Sequence, residues 1–263
     1  MFESSQGHNF IMAVTLSITK GKKIALVTGG ARRLGKEITL SLANCGFDVI
    51  INYFHTPEKQ IKNLIEIVRK RGVKATAIRA DISNVNEIKK LFVKVKRQFE
   101  KLDILVNNAA IFGQIDFFDI KESDFDKFVN TNLKSVLFCS QQAARLMKCG
   151  PGCSHIINIA SLGAILNWKS AIPYSLAKAG VVKLTELLAL RLAPGVLVNC
   201  IVPGTIKMKE KNKVSLNVQD LKNYPMQKFV NTHDITSLIE FLVTANNYIT
   251  GQTFIVDGGR SLN

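Results

Sequence analysis

Short apolar runs alternate with longer amphipathic stretches along most of the chain. The runs fall at 24–27, 49–52, 75–78, 104–106, 156–159, 196–201 and 253–256, and they are rich in isoleucine and valine. Runs this short and this nearly continuous predict strands covered on both faces rather than strands with one wet side. Between them, apolar positions recur at helical spacing, as over 37–43 and 173–192, with a further helical stretch near 125–148. Seven strands separated by helices predict an α/β fold with a single doubly wound parallel sheet and helices on both faces. Ligands of such sheets bind beyond the strand C-terminal ends. Gly29, Asn108, Ser161 and Pro203 are all expected there, each just after its strand.

Composition narrows this picture. At 263 residues and 47% hydrophobic, the chain can bury one sizeable core. No internal repeat or low-complexity linker marks a second domain, so residues 22–263 read as one domain and 1–21 as a loose extension. The apolar stretch 10–18 has no basic residue before it and is too short to span a membrane. The five cysteines (Cys45, Cys139, Cys149, Cys153 and Cys200) are odd in number and scattered. Cys149 and Cys153 have no second pair or histidine cluster nearby, which argues against a metal site and for reduced thiols in a cytoplasmic protein.

The first chemical signal follows the first strand. Gly29, Gly30 and Gly35 form a turn that opens into the next helical stretch. A strand, a glycine turn and a helix start make an anion site, because backbone N–H groups and the helix N-terminus point at one place. Glycine lets that backbone approach a phosphate without a Cβ in the way.

The second signal is Tyr174 and Lys178, with Ser161 upstream. On a helix, a spacing of four puts phenol and ammonium on one face, roughly 6 Å apart. A free tyrosine has a pKa of about 10, and bringing it near 7 takes about 4 kcal/mol of preferential stabilisation of the phenolate. A neighbouring lysine and a cofactor's cationic ring are the expected sources, which would make Tyr174 a proton donor suited to carbonyl reduction.

Together these residues resemble the short-chain dehydrogenase/reductase family, from about Lys22 to the end. Its glycine motif appears as Thr28-Gly29-Gly30-Ala31-Arg32-Arg33-Leu34-Gly35. Its adenine-contacting aspartate matches Asp81, followed by Ile82, and its N-N-A-G segment appears as Asn107-Asn108-Ala109-Ala110. The turn beside the nicotinamide matches Pro203-Gly204, followed by Thr205 and Ile206, and the closing strand matches 251–259. The resemblance implies a Rossmann-type fold and a catalytic set of Asn132, Ser161, Tyr174 and Lys178. It also implies that Lys178 holds the nicotinamide ribose and that Asn132 anchors a water linked to that lysine.

Two positions depart from the pattern. Arg33 replaces the middle glycine of the first motif, as in the branch that contains pteridine reductases, and Ala110 replaces the last glycine of N-N-A-G. Against the pteridine branch, Ser161 stands where well-known members carry an aspartate. A 3-oxoacyl-acyl-carrier-protein reductase and a dihydropterin reductase are therefore both open. An inactive binding protein of the same fold is a third reading, opposed by the complete catalytic set.

Charge points to the cofactor. No Asp or Glu lies between Val49 and Pro57, where an acidic residue would take the ribose 2′-hydroxyl of NAD. Arg32, Arg33 and His55 are the nearby groups, and guanidinium suits a 2′-phosphate, so NADPH is expected. The net charge is +15, and Lys207, Lys209, Lys211 and Lys213 crowd the expected substrate lid, 205–228. Such a lid either captures an anionic substrate, free or bound to an acyl-carrier protein, or is an ordinary solvated lysine-rich face. Basic runs without interleaved aromatics do not suggest nucleic-acid binding. Family members are usually homotetramers or homodimers built on the helices near 125–148 and 174–192.

Overall fold

The computed structural model describes residues 22–147, 154–206 and 218–263. In chain order the strands are β1 (Ile24–Val27), β2 (Asp48–Tyr53), β3 (Ala75–Arg79), β4 (Ile104–Asn107), β5 (Ser154–Ile159), β6 (Val196–Pro203) and β7 (Thr253–Val256). The helices are α1 (Arg33–Asn44), α2 (Glu58–Arg69), α3 (Val85–Phe99), α4 (Glu122–Val129), α5 (Ser135–Ala144), α6 (Ile172–Leu192) and α7 (Thr232–Thr244). The strands form one sheet in the order β3-β2-β1-β4-β5-β6-β7, with every pairing parallel. Chain direction across the sheet reverses between β1 and β4, and that crevice is where such sheets bind ligands.

Alternation along the strands sorts the core into two layers. Ala25 and Val27 pack with Leu34, Ile38, Leu64 and Ile239 under α1, α2 and α7. Ile24 and Leu26 pack with Ile88, Leu91, Val95 and Ala143 under α3 and α5 on the other face. Strands that are nearly continuously apolar are what a sheet covered on both sides demands. Caps fix several helix ends. Asn84 starts α3 by accepting the Asn86 N–H at 2.9 Å. At α7 the Asn231 side chain accepts the His233 N–H at 3.0 Å, while Asp234 accepts the Asn231 N–H at 2.8 Å.

The seven expected strands are all present, most of them longer by a residue or two. Pro203 is a correction: it is the last residue of β6, paired with Val256, rather than a residue just beyond the strand. The terminal position tolerates a proline because the ladder resumes through Gly204, whose N–H donates to Val256 at 2.9 Å. The helix expected near 125–148 is interrupted by a π-helical turn at Asn130–Lys134. Residues 1–21, Lys207 to Lys213 of the expected lid, and Cys149 and Cys153 lie outside the described residues.

At the opposite end of the sheet from the expected site, β5 buries His155, which is 2% exposed. Its Nδ1 has no hydrogen-bond partner among the described residues. Burial, then the Lys23 charge, pushes this imidazole down to about 4. A lowered histidine is neutral in the fold and charges first in the unfolded chain. Its stability contribution is thus full above about 6.5 and is lost as pH falls toward 4, by roughly 3 kcal/mol in all. The urea midpoint should therefore drop between pH 7 and pH 5, and His155→Leu should flatten that drop. An equally steep drop in the variant would move the acid sensitivity elsewhere.

Candidate active site

The turn between β1 and α1 is folded around missing side chains. Gly29 has φ +60, and a Cβ there would lie 3.0 Å from the Ala109 backbone. A Cβ on Gly35 would sit 2.2 Å from the Gly29 carbonyl oxygen and 2.6 Å from Asn108 Nδ2. Thr28 stitches this turn to the end of β4, its hydroxyl oxygen accepting the N–H groups of Asn108 at 3.0 Å and Ala109 at 3.1 Å. Asn108 returns the link by donating its side-chain amide to the Thr28 carbonyl at 3.0 Å. Asn52, the fifth residue of β2, was not singled out from the sequence. Its amide accepts the Gly29 N–H at 3.3 Å and donates to the Ala80 carbonyl at 3.1 Å, so one buried side chain joins the glycine turn to the end of β3.

These links enclose a cleft of about 530 Å³ at the strand C-terminal ends. Eleven of the predicted cofactor-binding residues line it: Gly29, Arg32, Arg33, Leu34, Gly35, His55, Asp81, Ile82, Asn108, Ala109 and Ala110. Tyr53, Phe54, Lys127 and Thr131 line it as well, without a sequence signal to mark them. Asp81 is committed to local structure through one oxygen, which accepts the Ser83 N–H at 2.9 Å and its hydroxyl at 2.8 Å. Arg33 adopts φ +49, a left-handed conformation that costs a residue with a Cβ about 1–2 kcal/mol. Arg79, the last residue of β3, lays its guanidinium over the Phe54 ring at 5.0 Å, adding positive charge beside His55, which packs on the same ring at 4.2 Å. The cradle, the glycine approach and the basic rim fit a dinucleotide with its pyrophosphate on the turn.

The predicted catalytic residues lie further along the same sheet edge, outside that cleft's lining. Tyr174 and Lys178 occupy successive turns of α6, 7% and 3% exposed. Lys178 donates to the Ile159 carbonyl at the end of β5, 2.7 Å away, which spends one of its three N–H groups. Burial holds its ammonium down to about 8. Ser161 starts the short turn Leu162–Ala164, its hydroxyl oxygen accepting the Gly163 N–H at 3.3 Å, and it favours the ionised form of the neighbouring Tyr174 phenol. Asn132 sits in the π-helical turn and clamps the Ile111 backbone, accepting its N–H at 2.9 Å and donating to its carbonyl at 3.0 Å. π-Helical turns inside helices frequently mark functional positions.

In the chain itself, burial raises the Tyr174 phenol and the Ser161 hydroxyl opposes that rise. One N–H of Lys178 goes to the strand-end carbonyl of Ile159, and two are left over. Among the chain's own groups, Tyr174 is therefore a protonated donor at neutral pH. Thr205 and Ile206 follow β6 as expected, but both are engaged within the chain. Thr205's hydroxyl accepts from the Tyr224 hydroxyl at 2.8 Å, and Ile206 bridges to Val230.

Aromatic rings surround Tyr174, which the sequence did not suggest. Phe112 meets it edge to face at 5.0 Å, Phe128 does so at 6.5 Å, and Trp168 lies parallel within 4° at 6.3 Å.

The family model described as enoyl-(acyl carrier protein) reductase matches residues 29–261. Among curated relatives, the 3-oxoacyl-[acyl-carrier-protein] reductase of Staphylococcus epidermidis is 35% identical, covering 90% of this chain and 98% of that protein. The corresponding reductase of Synechocystis is 34% identical over 90% of this chain and 96% of its own length. Among solved structures, acetoin dehydrogenase from Enterobacter cloacae superposes with a TM-score of 0.82 at 30% identity, covering 92% of this chain and 97% of that one. A variant of a Serratia marcescens short-chain dehydrogenase/reductase gives 0.85 at 29% identity, over 91% and 98% of the two chains.

Proposed function

The chain belongs to the short-chain dehydrogenase/reductase family of oxidoreductases, and on that premise we propose that it reduces a carbonyl substrate with NADPH, Tyr174 giving the proton. The observation that carries this reading is the buried Tyr174, beside Ser161 and one helical turn from Lys178, at the strand ends beside a dinucleotide-sized cleft. A dinucleotide held there supplies the hydride. Arg32, Arg33 and His55 face its adenosine end, Asp81 and Ile82 flank the adenine, and Asn108, Ala109 and Ala110 form the wall opposite the glycine turn. Pro203, Gly204, Thr205 and Ile206 border the nicotinamide end. Ser161 and Tyr174 share the substrate oxygen through their hydroxyls, and the phenol's raised pKa keeps its proton in place until the oxygen becomes basic. Lys178, with two N–H groups left after Ile159, binds the nicotinamide ribose and stabilises the phenolate left behind.

A 3-oxoacyl thioester carried on acyl-carrier protein is the substrate this reading favours, because that is what the curated relatives are named for. A dihydropterin is the second reading, favoured by Arg33 in place of the motif's glycine. NADPH oxidation measured against acetoacetyl-CoA, a dihydropterin and simple ketones separates them, and no turnover with any carbonyl would sink both. A cytoplasmic homodimer or homotetramer fits the exposed Leu176, Leu187 and Leu190 along α6. No helix among the described residues is long and apolar enough to cross a membrane.

NADPH preference rests on the basic cleft rim and on the strained Arg33. A residue kept in a left-handed conformation against its backbone cost points to a role for its side chain. Arg33→Asp should raise the Michaelis constant for NADPH by roughly ten- to a hundredfold, the worth of about 1.5–3 kcal/mol for hydrogen bonding to a charged group. The constant for NADH should change about threefold or less, since no 2′-phosphate is present to be repelled. Equal changes for the two cofactors would remove Arg33 from their discrimination.

A further inference from the structure

Phe112, Trp168 and Tyr174 form three sides of a box. Trp168 and Tyr174 are nearly parallel, and Phe112 stands perpendicular to both, 6.2 Å and 5.0 Å away. Phe112 is 60% exposed, although an aromatic ring ordinarily gains by burial.

The box is nonetheless fastened. Asn132 holds both polar groups of Ile111, the residue before Phe112. The Ile115 N–H donates to the Ser170 carbonyl at 2.8 Å, tying the Phe112 loop to the Trp168 loop. Gly163 completes the arrangement, since a Cβ there would press on the Trp168 ring at 3.0 Å. A wet aromatic face is therefore held at a fixed angle beside a buried proton donor.

We propose that this box binds flat aromatic-ring ketones and gives the enzyme a second substrate class beside 3-oxo thioesters. The proposal rests on the reductase reading above. A rigid ring meets the exposed Phe112 with complementary quadrupoles, whereas a saturated skeleton gains only area. In the reaction, hydride from NADPH adds to the carbonyl carbon and the Tyr174 hydroxyl gives its proton to the oxygen. The ketone becomes a secondary alcohol, the cofactor becomes NADP⁺, and the phenolate regains a proton from solvent.

Trp168 is the chain's single tryptophan, so its fluorescence reports on the box directly. Titrating the protein alone with 1-indanone should give saturable quenching, with a dissociation constant about fivefold below that of the fully saturated bicyclic ketone. Phe112→Leu should cut this preference to less than about twofold, and Phe112→Tyr, which keeps the ring, should retain it. With NADPH, the ratio of kcat/KM for 1-indanone to that for acetoacetyl-CoA should fall in Phe112→Leu in the same proportion. Equal dissociation constants for the two ketones, or a preference unchanged in Phe112→Leu, would overturn the proposal while acetoacetyl-CoA turnover left the reductase reading standing. A protein that reduces no carbonyl at all would overturn both together.

Discussion

Replacing Tyr174 with phenylalanine is expected to lower carbonyl reduction about a thousandfold while changing dinucleotide affinity by less than about twofold. The substitution is nearly silent for packing. The ring keeps its place between Phe112, Phe128 and Trp168, and what disappears is one hydroxyl. A thousandfold corresponds to about 4 kcal/mol of transition-state stabilisation, within the range of a positioned general acid. The pH profile supplies an independent check. Burial raises the phenol and lowers the Lys178 ammonium to about 8. The donor is thus protonated throughout the neutral range, while the lysine's charge is lost as pH rises through about 8. Reduction by the unmodified protein should accordingly decline above about pH 8. Steady-state NADPH oxidation and a fluorescence titration of NADPH binding measure the two halves of the prediction. A Tyr174→Phe variant with a tenth or more of the original rate would take this hydroxyl out of the proton path.

What could be read from the sequence divides along physical lines. Strands buried on both faces are nearly continuously apolar, so the seven runs announced the sheet; which layer each residue joins, Ala25 and Val27 in one and Leu26 in the other, comes from the structure. The glycine turn was legible because close backbone approach excludes side chains, and Gly35 states that constraint in one residue. Spacing also brought Tyr174 and Lys178 to one helix, but it could not give the direction of the amine. That depends on where the Ile159 carbonyl ends up, because that strand-end acceptor takes one of the three N–H groups. Asn52 looked like one polar residue in a strand, and its role requires Gly29 and Ala80 to arrive from two other segments. The aromatic box had no periodic signal for the same reason, since Phe112 and Trp168 lie on separate loops that meet only when Ile115 pairs with Ser170. The π-helical turn leaves the helical pattern of side chains nearly intact, which is why 125–148 read as one uninterrupted helix.

Gly35→Ala is expected to weaken dinucleotide binding more than about tenfold, because overpacking this turn by one methyl costs on the order of 1–3 kcal/mol. The added Cβ would lie 2.2 Å from the Gly29 carbonyl oxygen, 2.6 Å from Asn108 Nδ2 and 2.9 Å from the Gly29 carbonyl carbon. None of these atoms can yield cheaply. Gly29 is held by Asn52, and the Asn108 amide is spent on the Thr28 carbonyl. Relief therefore requires moving the turn off the end of β4, which opens the wall that Asn108 and Ala109 present to the cleft. At about 2–4 °C per kcal/mol for a chain of this size, the melting midpoint should fall by roughly 2–12 °C. Gly46→Ala is the matched control. Its φ of +84 imposes backbone strain with no atom within 4 Å of the new Cβ, so it should lower stability by about 1–2 kcal/mol and leave binding unchanged. Isothermal titration of NADPH into both variants separates strain from collision. If Gly35→Ala bound NADPH as tightly as Gly46→Ala does, the pyrophosphate would have to rest somewhere other than this turn. The basic rim at Arg32 and Arg33 would then have lost the anchor that places a 2′-phosphate within its reach.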